Sequence, residues 1–111
     1  YKESPTFNFA ILFLDLNRFK TINDSLGHST GDRLISAVAN RLTDLAREGD
    51  LVARFSGDEF GIVLNRVSGI EEVIVLADSI KQQLADPFHI GQRAVFSSVS
   101  IGIALGSKDY D

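Results

Sequence analysis

The sequence predicts an α+β domain in which a central, mostly antiparallel sheet is flanked by helices. Three observations predict it. A continuous apolar run at residues 9–14 is typical of a buried strand. Residues 51–55 and 60–64 are two short apolar segments whose close spacing favours a hairpin. Segments with helical periodicity separate these strands, and a hairpin within such an alternation favours the α+β class.

The first strand and the first helix are adjacent in the chain. The run FAILFL at residues 9–14 has no polar position, so we expect a strand that is buried on both faces. Residues 18–26 then form a short helical segment, and Gly27 ends it because glycine accepts the backbone conformations found at helix C termini.

The second helix is predicted to begin near Ser29. Ser29 and Asp32 have the S-x-x-D spacing of a capping box, in which side chains satisfy the first backbone N–H groups. We expect the helix to end at Gly49. The apolar positions that share one helical face are Leu34, Ile35, Val38, Leu42 and Leu45.

The hairpin turns through residues 56–59, and the third helix follows it. Ser68 and Glu71 have the spacing of a second capping box, and Asp86-Pro87 stops the helix because proline lacks a backbone N–H. The predicted apolar face of this helix contains Ile70, Val73, Ile74, Ala77, Ile80 and Leu84.

The last part of the chain predicts a turn and a final strand. Gly91-Gln92 favours the turn. Residues then alternate with the period of two that is typical of a strand. The large apolar face contains Val99, Ile101, Ile103 and Leu105, and the small face contains Ser98, Ser100, Gly102 and Ala104. The small face lets another group approach the backbone closely.

Composition excludes several classes of protein. The chain has 111 residues, of which 44% are hydrophobic and 23% are charged, as expected for one globular domain that is not disordered. It has no Cys, which excludes a disulfide scaffold and a thiol nucleophile. A net charge of −4 gives no reason to expect a nucleic acid or an anionic membrane surface as a partner. The chain begins at Tyr1 and contains no Met, which we interpret as a segment of a longer protein.

Three acidic residues are the strongest candidates for a functional site. Asp15 follows the first strand, and Asp58 and Glu59 occupy the hairpin turn. If the strand and the hairpin are neighbours in the sheet, these carboxylates converge into an oxygen-rich site of the kind that Mg²⁺ prefers. Such a site could activate a hydroxyl nucleophile and stabilise a leaving phosphate. The alternative is an ordinary strand-end acid and two turn residues.

Other polar residues near these segments fit phosphate chemistry. Lys20 and Arg54 are candidate cations for a polyphosphate, and the alternative is a solvated lysine and an arginine paired across the hairpin. Asn23 and Asp32 could contact a base edge, although a turn residue and a helix cap are equally simple interpretations. Taken alone, His28 favours a local hydrogen-bonding role.

Three segments carry a resemblance to a known family. FLDLNRFKTINDSLGHSTGD at residues 13–32, RFSGDEF at 54–60 and VSIGIA at 99–104 follow one another as in the GGDEF diguanylate cyclase family. The resemblance implies a fold similar to the adenylyl cyclase catalytic domain and the polymerase palm. It also implies a reaction in which two GTP molecules, one in each subunit of an antiparallel homodimer, form cyclic di-GMP and two pyrophosphates.

The resemblance implies roles for individual residues. Mg²⁺ or Mn²⁺ would be held by the carboxylates of Asp15, Asp58 and Glu59 and by the Leu16 carbonyl. Asp58 and Glu59 would be the catalytic residues, and Glu59 would help to deprotonate the 3′-hydroxyl. The substrate-binding residues would be Asn23 and Asp32 for guanine, Lys20 and the Arg18-Phe19 turn for the β- and γ-phosphates, and Ser56 and Gly57 for the α-phosphate and ribose.

Arg47 and Asp50 have two different interpretations. From the local sequence, they are a cation in the last helical turn and a turn acid. The resemblance instead assigns them to the family's inhibitory Arg-x-x-Asp site, which would bind cyclic di-GMP and suppress the enzyme.

The chain departs from the family pattern at several points. Ser56 replaces the first glycine of the signature, and Asn17 replaces the commoner aspartate. The family's opening helix and its closing helix and strand are absent, so we interpret residues 1–111 as a single GGDEF domain truncated at both ends. The sequence at residues 86–105 is most similar to that of GGDEF domains fused to an EAL phosphodiesterase domain.

We therefore expect a cytoplasmic diguanylate cyclase that needs neither nucleic acid nor membrane contact. One alternative is a non-catalytic module that binds GTP or cyclic di-GMP and regulates an adjacent domain. Another is a receiver-like domain with Asp15 as phosphoacceptor, which the hairpin bearing Asp58 and Glu59 disfavours.

Overall fold

The computed structural model describes residues 8–107, and these form a sheet with helices packed against it. The strands are β1 (Phe9–Leu16), β2 (Leu51–Ser56), β3 (Glu59–Leu64), β4 (Phe88–Ile90), β5 (Arg93–Val95) and β6 (Val99–Gly106). The helices are α1 (Phe19–Leu26), α2 (His28–Leu45) and α3 (Ile70–Ala85).

The main sheet has four strands in the order β2-β3-β1-β6, and each neighbouring pair is antiparallel. β1 lies between β3 and β6, so Asp15 is opposite Glu59 on one side and Ser100 on the other. β2 and β3 form the predicted hairpin. These features confirm the α+β class and the hairpin, and they make the end of β1 a neighbour of the hairpin turn.

The core lies on one face of this sheet. Side chains alternate along a strand, and every second residue of β1 from Ala10 to Leu16 is buried with Phe60, Ile62 and other residues from β3, α2 and α3. The prediction that β1 is buried on both faces is wrong. Phe13 lies on the opposite face, where it is partly exposed and contacts the ring of Phe55 with centroids 5.8 Å apart.

The second helix begins differently from the prediction. Gly27, with φ of 94°, is the residue that precedes α2, and no side chain forms a hydrogen bond at this cap. The predicted capping box of Ser29 and Asp32 is therefore wrong, because the left-handed break at Gly27 allows the helix to begin at His28. The helix ends at Leu45 rather than at Gly49.

The third helix has the predicted length but a different start. Its cap is Gly69, and the partner of Ser68 is Glu72 rather than Glu71: Glu72 Oε1 accepts hydrogen bonds from the Ser68 amide at 2.7 Å and hydroxyl at 2.9 Å. The predicted apolar face is buried at four positions, whereas Ile70 and Ile74 are exposed.

Two further observations concern the last strands. The turn at Gly91-Gln92 is confirmed, and it joins β4 and β5 into a separate two-stranded sheet in which Gly91 has φ of 64°. In β6, Val99 is buried, but Ile103 and Leu105 are 40% and 43% exposed. β6 is an edge strand of the described sheet, so its side chains have a neighbouring strand on one side only.

Arg41 of α2 closes the C-terminal end of α3. Its guanidinium donates to the carbonyls of Gln83 and Asp86 at 3.0 and 2.7 Å and to that of Pro87 at 3.1 Å. It also lies 3.7 Å from the centroid of the Phe88 ring. The last carbonyls of a helix have no partner within the helix, so Arg41 supplies a donor to one of them, that of Gln83, and to the two carbonyls that follow the helix.

Replacing Arg41 with Ala is expected to lower the free energy of unfolding by about 2 kcal/mol, because hydrogen bonds from a charged donor and a cation–π contact are lost together. Urea denaturation followed by circular dichroism measures the change. Arg33→Ala, at an exposed position on the same helix, is the control and should change stability by less than about 0.5 kcal/mol. Equal effects of the two substitutions would contradict the assigned role.

Candidate active site

Three carboxylates meet where β1 ends beside the β2–β3 hairpin turn. One carboxylate oxygen from each of Asp15, Asp58 and Glu59 lies within 4.8 Å of the others. The antiparallel register puts Asp15 opposite Glu59, and the Leu16 amide donates to the Asp58 carbonyl at 3.0 Å. Backbone pairing therefore holds this acidic cluster (Asp15, Asp58 and Glu59) together from two distant segments of the chain.

The electrostatics of the acidic cluster favour a cation. Desolvation raises the pKa of Asp15 above its ordinary value of 3.8, and the negative charges of Asp58 and Glu59 raise it further. An all-oxygen, carboxylate-rich set of ligands is the chemistry that hard divalent ions such as Mg²⁺ take. The residues present therefore fit a magnesium or manganese ion by their donor chemistry.

Asp15→Asn is expected to raise the melting temperature of the metal-free protein at neutral pH. Because the folded-state pKa of Asp15 is raised, folding favours its protonated form, and stability falls as pH rises from 3.8 through the raised pKa. The variant removes this cost, so its advantage should shrink below pH 3.8. Thermal unfolding across pH, with Asp78→Asn as an exposed control, measures it; an advantage that is independent of pH would contradict the explanation.

Asn17 braces the end of β1 against β6. Its side-chain amide donates to Ser98 Oγ at 2.9 Å and accepts from Ser100 Oγ at 2.8 Å, and its backbone amide donates to the Ser98 carbonyl. An uncharged side chain can donate and accept at once, which a carboxylate cannot do. Sequence reasoning missed this contact, although the small polar face of β6 was a signal for it.

The hairpin turn is held by its own side chains. Arg54 donates to the carbonyls of Ser56 and Gly57 at 3.1 and 3.0 Å, so it stabilises the turn, as the local interpretation expects, and its phosphate role stays a prediction. The Ser56 hydroxyl donates to Glu59 Oε1 at 3.1 Å. The residue that replaces the signature glycine therefore contacts one of the candidate catalytic acids.

The candidate guanine residues lie on neighbouring helices. Asn23 of α1 packs against Gly31 of α2, where a side-chain Cβ would overlap Asn23 Oδ1, and Asp32 follows Gly31 and is exposed. Asn23 Oδ1 is buried with no hydrogen-bond partner among residues 8–107. Of the candidate phosphate residues, Lys20 is exposed on α1, while the Phe19 side chain packs against the core.

A second polar cluster lies at the other end of β2, which at six residues is about 17–20 Å long. Arg47 Nε donates to Asp50 Oδ2 at 2.8 Å, and Arg47 Nη1 donates to Glu72 Oε2 at 2.6 Å. These three residues are called the Arg47 cluster below. Sequence reasoning missed Glu72, because it is 25 positions from Arg47.

The pKa values in the Arg47 cluster move in opposite directions. The side-chain hydrogen bond to Asp50 is the largest cause that raises the pKa of Arg47. Hydrogen bonds from the backbone and the hydroxyl of Ser68 lower the pKa of Glu72, and Arg47 adds to this effect. Both groups are therefore charged at neutral pH.

Comparison with known families identifies the fold and the signature. The family described as "Diguanylate cyclase, GGDEF domain" matches residues 2–111. The chain belongs to the GGDEF family. The signature segment at residues 55–60 of this GGDEF domain is the hairpin that carries Asp58 and Glu59.

Curated relatives and solved structures agree with this assignment. The signaling protein YkoW of Bacillus subtilis is 46% identical over 109 residues, which are 97% of this chain and 14% of YkoW. The cyclic di-GMP phosphodiesterase NbdA of Pseudomonas aeruginosa is 40% identical over 90% of this chain and 13% of NbdA. The GGDEF domain therefore spans about one seventh of the length of these relatives.

A solved structure confirms the palm-like fold. The crystal structure of the GGDEF domain of TpbB from Pseudomonas aeruginosa superposes with a TM-score of 0.85 at 40% identity, over 89% of this chain and 62% of that one. In the part of the GGDEF domain that the structure describes, no helix is long and apolar enough to cross a membrane.

Proposed function

We propose that this GGDEF domain is a diguanylate cyclase that condenses two GTP molecules into cyclic di-GMP and two pyrophosphates. The observation that carries the proposal is the acidic cluster, in which Asp15, Asp58 and Glu59 offer carboxylate oxygens within 4.8 Å of one another. Membership of the GGDEF family supports the reaction class.

Each half of the reaction forms one phosphodiester bond. The 3′-hydroxyl oxygen of one GTP attacks the α-phosphorus of the other, the bond from that phosphorus to the bridging oxygen breaks, and pyrophosphate leaves with its electron pair. Glu59 accepts the hydroxyl proton. Asp15, Asp58, Glu59 and the Leu16 carbonyl would hold Mg²⁺ or Mn²⁺, which lowers the pKa of the hydroxyl and stabilises charge on the phosphates.

The remaining candidate residues orient GTP. Exposed Lys20 neutralises charge on the β- and γ-phosphates, and the backbone N–H groups of the Arg18-Phe19 turn donate hydrogen bonds to them. The Asp32 carboxylate accepts hydrogen bonds from the guanine N–H groups, which adenine does not offer in that pattern, and Asn23 contacts the same base. Ser56 and Gly57 lie along the α-phosphate and ribose.

The reaction requires two copies of the domain. One site holds one GTP, and the two attacks are equivalent by symmetry, so an antiparallel homodimer brings each 3′-hydroxyl to the other nucleotide. GTP is a cytoplasmic metabolite, so the proposed activity is cytoplasmic. The reaction itself uses neither a nucleic acid nor a membrane surface.

Incubation of the protein at full length with GTP and Mg²⁺, followed by chromatography, tests the cyclase proposal. Cyclic di-GMP and pyrophosphate should accumulate in a ratio of one to two, and ATP in place of GTP should give no product. Absence of product with GTP at all protein concentrations, including those at which the protein is dimeric, would overturn it.

We further propose that Arg47 and Asp50 bind the product and inhibit the enzyme. Cyclic di-GMP carries two phosphodiesters, and an arginine guanidinium binds phosphate oxygens in a forked geometry. The family's inhibitory Arg-x-x-Asp site, which the resemblance assigns to these residues, supports the role.

Arg47→Ala is expected to relieve product inhibition and to raise the inhibitory concentration of cyclic di-GMP at least about tenfold, which corresponds to the loss of one charged contact. Initial rates at increasing cyclic di-GMP measure the effect, with Arg93→Ala as an exposed control on β5. The Mg²⁺ requirement should stay the same. Unchanged inhibition in the folded variant would refute the role.

A second candidate function is a binding module that holds GTP without turnover and regulates an adjacent domain. The contact between the Ser56 hydroxyl and Glu59 Oε1 favours it, because this hydrogen bond stabilises the charged carboxylate and makes the candidate base a weaker proton acceptor. The similarity to NbdA, a phosphodiesterase, is compatible with such a role. GTP binding without product in the dimer would support this candidate, and turnover would reject it.

A further inference from the structure

Every nitrogen of the Arg47 guanidinium has a partner. Nε donates to Asp50 Oδ2 at 2.8 Å, and Nη2 donates to Asp50 Oδ1 at 3.4 Å and to the Arg66 carbonyl at 2.9 Å. Nη1 donates to Glu72 Oε2 at 2.6 Å. A phosphate can therefore bind Arg47 in full only by displacing one of these acceptors.

The partners differ in how easily they can be displaced. The Asp50 side chain is 2% exposed, and its Oδ1 also accepts from the Asn65 amide at 3.0 Å, so Asp50 is part of the folded framework. The Glu72 side chain is 34% exposed and comes from α3. The Arg47 side chain, at 33% exposed, can be reached by a ligand from solvent.

Glu72 is held in position by Ser68, which lies four residues before it. Its other oxygen, Oε1, accepts from both the amide and the hydroxyl of Ser68, so the carboxylate is oriented without help from Arg47. A cleft of about 290 Å³, lined by residues that include Arg47, Asp50 and Arg66, adjoins the cluster. A ligand in this cleft contacts an arginine whose three nitrogens already have partners within the protein.

We propose that Glu72 is an internal competitor at the inhibitory site: its carboxylate occupies the place on Arg47 that a phosphodiester of a cyclic dinucleotide takes on binding. The inference rests on the proposed inhibitory role of Arg47 and Asp50. The proposal reconciles the two interpretations of Arg47. The arginine is a structural cation in the free protein and a phosphate ligand in the complex with the cyclic dinucleotide.

The size of the effect follows from the exposure of the pair. A partly exposed ion pair contributes up to about 1 kcal/mol, so removing the competing charge should tighten binding about threefold to fivefold. The same charge repels the ligand's phosphates, which acts in the same direction.

The test is calorimetric titration of the chain with cyclic di-GMP. Glu72→Gln keeps the shape and the acceptor for Ser68 but removes the charge, and we expect it to bind about threefold to fivefold more tightly. Glu71→Gln is the matched control, since Glu71 is an exposed neighbour on the same turn with the same charge, and it should bind as the unmodified chain does. Ser68→Ala removes the hydroxyl donor to Glu72 Oε1 but keeps the amide donor, so Glu72 is held less firmly and a smaller gain in affinity is expected.

Other results would separate the two proposals. If Arg47→Ala abolishes binding while Glu72→Gln binds equally or more weakly than Glu71→Gln, the inhibitory site stands and Glu72 is a supporting residue, which overturns the competitor role. If Arg47→Ala binds as tightly as the unmodified chain, or if no variant binds, both proposals fail. A purely structural role for Glu72 would weaken binding and lower the unfolding midpoint together.

Discussion

Asp58→Asn is expected to reduce cyclic di-GMP formation at least about 100-fold while leaving the protein folded. Asp58 lies in the hairpin turn and contributes one of three carboxylates that meet within 4.8 Å. Removing a charged metal ligand takes away several kcal/mol of transition-state stabilisation, and 1.36 kcal/mol corresponds to a tenfold change in rate. The substitution conserves size, so packing in the turn should be preserved.

Initial rates with saturating GTP and increasing Mg²⁺ or Mn²⁺ measure this effect. Asp44→Asn, an exposed acid on α2, is the control with the same change in charge, and it should retain full activity. Circular dichroism establishes that both variants fold. If Asp58→Asn kept full activity at low Mg²⁺, the acidic cluster would not be the catalytic metal site.

Gly31→Ala is expected to raise the KM for GTP about tenfold with little change in kcat. The added Cβ would overlap Asn23 Oδ1, so the Asn23 side chain must leave its present position. If Asn23 contacts guanine, the loss of one hydrogen bond to the base weakens binding by about 1–2 kcal/mol. The acidic cluster lies on other elements and is not disturbed.

The free energy of unfolding of Gly31→Ala should stay close to that of the unmodified protein, although its KM rises. Alanine is favoured over glycine within a helix by up to about 1 kcal/mol, which offsets the cost of moving Asn23. Gly69→Ala is the control, because a Cβ at Gly69 meets nothing within 4 Å. Asn23→Ala should raise the KM by a similar factor, and the double variant should add little. An unchanged KM for Gly31→Ala would argue against guanine recognition by Asn23.

Much of the fold could be predicted from the sequence, because apolar periodicity reports which residues face a core. The buried face of α2 and the β2–β3 hairpin follow from such patterns. The helix starts were less predictable. A capping box depends on the local backbone path, and the left-handed Gly27 shifts the start of α2, while Ser68 is paired with Glu72 one residue beyond the expected partner.

The acidic cluster was predictable for a different reason. Asp15 ends a strand and Asp58 lies in a hairpin turn, so adjacency of the two elements was enough to bring them together. The surroundings of Arg47 and Asn17 were not predictable, because their partners Glu72 and Ser98 are 25 and 81 positions away. For Arg54 the sequence left two interpretations open, since a short turn offers carbonyls to a nearby arginine as readily as a ligand offers phosphates.

Asp15 pairs with Glu59 across β1 and β3. The acidic cluster is therefore more sensitive to an inserted or deleted residue in these strands than to a substitution elsewhere in them. Side chains alternate between the two faces of a sheet, so a slip of one residue in either strand would turn one acid toward the core while the other stayed outside. Point substitutions elsewhere in the two strands leave this parity unchanged. We therefore expect insertions and deletions in residues 9–16 and in the hairpin at 56–64 to disrupt the acidic cluster more than substitutions that keep the register.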